Sequence, residues 1–75
     1  MSNRMNNVSK KQLRFLIKSL AYDRIKEEHP LWGDIRLEGI ETVLQGYLVQ
    51  VIAPKEKLVF VPRQRVWQEI YWRGQ

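Results

Sequence analysis

Cysteine is absent from this 75-residue chain, histidine occurs once, and glycine and proline are sparse at four and three. Without cysteine there are no disulfides, no thiolate nucleophile and no Cys-based zinc or iron–sulfur site. A metal centre would rest on His29 and carboxylates, and imidazole-dependent catalysis has a single candidate, so the expectation is a protein that is not an enzyme and carries no cofactor. No apolar run approaches the roughly 20 residues of a membrane-crossing helix. Residues 1–12 are polar rather than the apolar core of a signal peptide. A location in the cytoplasm and no membrane partner are therefore expected.

What is present is a globular composition, 44% hydrophobic and 28% charged, which argues against wholesale disorder. A chain this short buries only about 60% of its unfolded surface, so one thin-cored domain is the ceiling. We assign residues 1–8 to a flexible leader and 9–75 to the domain.

The net charge of +5 conceals an asymmetry. Residues 1–26 carry seven cations against Asp23 alone, and the segment from Lys57 to the end is again basic. Between them Glu27, Glu28, Asp34, Glu38, Glu41 and Glu56 outnumber Arg36 and Lys55. Basic ends around an acidic middle can steer an anionic partner to one face, or pair one subunit with the next in a homo-oligomer.

The first element is punctuated as a helix. Ser9 can cap it, Gln12 completes a capping box, and Val8 sits where a hydrophobic staple would meet Leu13. Leu13, Leu16, Ile17, Leu20, Ala21 and Ile25 recur at helical spacing. His29 precedes Pro30 and is steered away from the α region, so the helix is expected over 10–27. Ile35 and Leu37 then alternate, Gly39 reads as a break, and 42–53 is rich in β-branched and aromatic residues. After the polar turn at 54–57 comes Leu58-Val59-Phe60-Val61, so three strands are expected, the last two as a hairpin. Ile40, Val43, Leu44, Tyr47, Leu48 and Val51 also fit a helical stripe, and periodicity leaves 40–52 open between strand and helix. Residues 63–73, between Pro62 and Gly74, are open in the same way. As a helix they would set Val66 and Ile70 on one side with Trp67 and Tyr71 beside them.

A leading amphipathic helix, Ile35-Arg36-Leu37-Glu38-Gly39, Gly46-Tyr47-Leu48-Val49-Gln50-Val51, a turn and Leu58-Val59-Phe60 together resemble the opening half of the Sm-like barrels that include bacterial Hfq, over residues 10–61. The resemblance implies a barrel architecture and a ring-forming tendency. It assigns no pocket residue here. The expected fold is thus α+β, an N-terminal amphipathic helix packed on a small bent antiparallel sheet or an SH3-like or Sm-like barrel.

Two clusters could carry a function. Lys10, Lys11, Arg14 and Lys18 can neutralise phosphates, with Arg63, Arg65 and Arg73 extending the surface. Trp67, Tyr71 and Trp72 interleave with the latter cations; flat rings stack on unpaired bases, and the same residue types dominate protein interfaces. A core this small is expected to bury at least one tryptophan. Trp32 is expected to plug the gap between helix and sheet. Asp34, Glu38 and Glu41 read as an acidic strand edge, and His29 with Glu27 and Glu28 as a solvated helix end. The leading expectation is a non-catalytic module for RNA or single-stranded DNA. The alternative is a protein-interaction module, an oligomer subunit or a small inhibitor or adaptor, docking through Trp67, Tyr71 and Trp72.

Overall fold

The computed structural model describes residues 8–73, the side chain of Arg73 excepted, in the order α1 (Lys10–Glu28), β1 (Arg36–Val43), β2 (Gly46–Ala53), β3 (Lys57–Pro62), α2 (Arg63–Arg73). The expected leader, apart from Val8, lies outside the described residues.

The start of α1 follows its capping residues. Ser9 Oγ accepts from the Gln12 amide and Gln12 Oε1 accepts from the Ser9 amide, both at 3.1 Å, which satisfies two of the donors a helix start leaves open. The helix closes at His29, whose N–H donates to Ile25 O at 2.7 Å. Beyond it His29 stacks on Trp32 with ring centroids 4.0 Å apart, and Lys26 Nζ donates to Trp32 O at 3.1 Å. These contacts hold the connector against the end of α1, and Trp32 packs on the margin of the core.

The three strands form an open antiparallel sheet in the order β1-β2-β3. Residues 40–53 are strand on both sides of a tight turn at Leu44-Gln45, which resolves their ambiguity against the helix. Gly39 does not break β1, contrary to the sequence expectation. Between Leu37 and Ile40 the register advances three residues on β1 against two on β2, Val51 to Val49, so Gly39 sits in a β-bulge. A bulge absorbs the residue of weakest strand propensity without ending the ladder. Glu38 and Glu41 lie exposed on this edge strand, where charge discourages pairing with other sheets.

Both helices cover one face of the sheet. Leu16, Ile17, Ala21 and Ile25 of α1, Tyr47, Val49 and Val51 of β2, Val59 and Val61 of β3, and Val66 and Ile70 of α2 make the buried core. Truncating one of the largest, such as Ile17, to alanine would cost about 2–5 kcal/mol. The opposite face of the sheet carries the partly exposed Leu48, Leu58 and Phe60. Residues 63–73 are helical, with Val66 and Ile70 turned inward.

No tryptophan is buried, against expectation: Trp67 is 37% and Trp72 is 76% exposed, and Trp32 is partly buried. The core is filled largely by β-branched aliphatic side chains from α1, β2, β3 and α2, and the space beneath α2 accommodates Val66 and Ile70 rather than an indole.

Candidate nucleic-acid interface

The α1 surface away from the core has a composition that the apolar stripe alone does not reveal. Lys11, Arg14, Phe15, Lys18 and Tyr22 are spaced three or four residues apart and fall on one side of the helix. Lys11, Arg14, Phe15 and Tyr22 are exposed and Lys18 is half-buried. Phe15 is 67% exposed, an unusual state for a phenylalanine in a chain with so few core positions. The side therefore presents three cations with two aromatic rings among them. Among the described residues none of these cations, nor Lys10, has an ion-pair partner. Lys10 stands on the first turn, about 80° around the axis from the other three at 100° per residue.

The helix also begins against its own dipole. Lys10 and Lys11 occupy its first turn and no acid does, although the exposed amides there carry partial positive charge and cations cost about 0.3–1 kcal/mol at that end. The local charge choice disfavours the isolated helix and favours an approaching anion.

The sequence reading missed Phe15 and Tyr22 as members of this surface, although their spacing carried the signal. They fall outside the Leu13–Ile25 stripe, and their seven-residue separation keeps them on the Lys11–Lys18 side.

The cations of the C-terminal segment are placed differently. Arg63 Nη2 donates to Val43 O at 3.1 Å, and its guanidinium lies 5.5 Å from the centre of the Tyr47 ring, so this side chain ties the start of α2 to the β1–β2 turn. Arg65 Nη1 pairs with Glu69 Oε1 at 2.7 Å. Arg65 also lines a groove of about 500 Å³ between α1 and α2 with Leu20, Asp23, Arg24, Glu27 and Phe60. Asp23 and Glu27 lie roughly 160° around α1 from the Lys11, Arg14 and Lys18 side. The structure thus gathers the α1 cations together and sets Arg65 against the opposite, acidic flank of the same helix. The side chain of Arg73 lies outside the described residues.

The α1 acids on that flank are partly engaged. Glu28 takes Arg24 at 3.7 Å and Lys57 at 3.4 Å, and Arg24 Nη1 donates to Phe60 O at 3.4 Å, a set of exposed links between α1 and β3. On α2, Trp67, Tyr71 and Trp72 all reach solvent, with Tyr71 59% exposed.

Among the described residues no cluster of His, Asp and Glu is arranged to hold a metal ion, and no helix is long and apolar enough to cross a membrane. No family model, curated protein or solved structure matches this chain.

Proposed function

We propose that this protein is a non-catalytic module for single-stranded nucleic acid, RNA or single-stranded DNA, bound along the exposed side of α1. The observation that carries this reading is the coincidence on one helix face of three cations without ion-pair partners among the described residues and two solvent-reaching aromatic rings. Lys11, Arg14 and Lys18 neutralise successive phosphates and release their counterions. Phe15 and Tyr22 offer flat surfaces to unpaired bases, a contact available in single strands and denied by a stacked duplex. Lys10, at the helix start, adds a further cation beside the free amides. Arg63 and Arg65, engaged within the fold, contribute field rather than contacts. The helix followed by three strands is also the order in which the Sm-like resemblance begins, a family in which the leading helix precedes a bent sheet.

The test is binding of a fluorescently labelled single-stranded oligonucleotide to nuclease-treated protein at low salt. Lys11→Gln/Arg14→Gln/Lys18→Gln should weaken binding at least tenfold with a melting temperature no lower than the parent's. Equal affinity in the variant and the parent would reject the reading.

A second reading rests on Trp72 and Tyr71, whose exposure exceeds what packing on this fold uses. In that reading α2 docks a protein partner through Trp67, Tyr71 and Trp72, rings of the type that anchor interfaces. Trp72→Ala should then abolish co-purification of a stoichiometric protein from the host while leaving stability untouched.

A further inference from the structure

The groove between α1 and α2 has features that the nucleic-acid reading does not use. Its lining includes apolar surface from Leu20 of α1 and from Val61 and Pro62 at the end of β3. Its α1 rim carries Asp23 and Glu27, one helical turn apart, and among the described residues neither has an ion-pair partner. The cations at the groove are occupied, Arg24 with Glu28 and Arg65 with Glu69. What the groove lacks is a pair of cations about 6 Å apart, the rise of four helical residues, with an apolar group beside them.

The same chain presents that pattern on the far side of α1. Arg14 and Lys18 are four residues apart, neither ion-paired among the described residues, with the exposed Phe15 next to Arg14. We propose that the groove docks the basic side of α1 from a second copy of this chain, with Arg14 and Lys18 against Asp23 and Glu27 and Phe15 against Leu20 and Pro62. Helix-in-groove association of this kind combines an apolar anchor with charged edges that fix register. The two surfaces lie on opposite sides of one helix, so they cannot satisfy each other within a chain. The contact is heterologous, each copy giving one surface and receiving another, and it propagates into a ring or a filament. Oligonucleotide and neighbouring copy then compete for the same α1 side.

The experiment is sedimentation velocity on the full-length, nuclease-treated protein at low salt. The parent should sediment above its 9.0 kDa monomer mass, increasingly with concentration, and return to monomer as salt screens the pairs. Asp23→Arg/Glu27→Arg and Arg14→Glu/Lys18→Glu should each be monomeric, and mixing the two should restore association, because the intact basic side meets the intact acidic rim and the two reversed surfaces complement each other in turn. Asp23→Asn/Glu27→Gln, which changes no volume, should weaken association in the same direction. A monomeric parent at every concentration, association retained in either charge-reversed variant alone, or no association on mixing the two folded variants would overturn the proposal. Asp23→Arg/Glu27→Arg keeps the basic side intact, so its oligonucleotide affinity reports on the nucleic-acid reading separately.

Discussion

Arg63 and Tyr47 hold the first turn of α2 to the sheet, the guanidinium lying 5.5 Å over the tyrosine ring while Nη2 reaches Val43 O at 3.1 Å. Tyr47 is itself a core residue, and the Arg63 amide donates to Gln45 O at 3.0 Å. Backbone and side chain of one residue therefore fasten α2 to both ends of the β1–β2 turn. Arg63→Ala should lower stability by about 1–2 kcal/mol, since a charge-assisted hydrogen bond and a cation–π contact are lost together. Arg14→Ala, at an exposed site, should stay within about 0.5 kcal/mol. Urea unfolding of the two variants checks the contrast, and equal midpoints would show that the Arg63 contacts carry no net energy.

Lys11 should separate stability from binding. In the first turn of α1 it opposes the helix dipole, so Lys11→Glu should raise stability by about 0.3–1 kcal/mol. The same change removes a phosphate contact and adds a repulsive charge, so oligonucleotide affinity should fall. A variant that is both less stable and weaker in binding would show that Lys11 serves the fold instead.

Phe15 and Tyr22 should discriminate strand state. Base stacking on an aromatic side chain is worth about 1–3 kcal/mol per base, so Phe15→Ala and Tyr22→Ala should each weaken single-strand binding by that order. Duplex binding, driven by phosphates alone, should change little. Competition titrations with single-stranded and duplex oligonucleotides of equal length provide the measurement; parallel losses for both would remove stacking from the account.

Gly46 is the glycine on which the fold depends. A β-carbon there would run into Val61 O and crowd the Arg63 amide and the Phe60 ring, two of the three being backbone that cannot yield. Gly46→Ala should cost roughly 2 kcal/mol or more. At Gly33 an added β-carbon meets nothing, and Gly33→Ala should be close to neutral. Thermal melts of the pair test this, and equivalence would mean the β2–β3 approach is looser than it stands here.

Much of the frame was legible from residues alone, for physical reasons that differ by element. Ser9, Gln12 and Pro30 mark α1 because capping and proline sterics act within a few residues of the chain. The hairpin of β2 and β3 follows from a polar turn between two apolar runs. Gly39 misled because a bulge and a break share the same residue preference, and only the partner strand, with Val49 and Val51 in place, distinguishes them. The tryptophans misled because burial depends on the shape of the space left by Val59, Val61 and Val66, which no local pattern encodes. At the candidate site, spacing already grouped Lys11, Arg14 and Lys18. The separation of Arg65 from them was hidden, because it depends on which flank of α1 meets α2. Its immediate partner, Glu69, lies four residues on in the sequence.

The most direct measurement of the central claim, that unpaired cations on one side of α1 hold a phosphate chain, is the salt dependence of single-strand affinity. Each phosphate neutralised contributes about −0.7 to the slope of log K against log salt for a single strand, so contacts from Lys11, Arg14 and Lys18 predict a slope near −2. In Lys11→Gln/Arg14→Gln/Lys18→Gln the slope should become shallower by about 2, leaving at most the share of Lys10. A flat response in the parent, or an unchanged slope in the triple variant, would contradict the account.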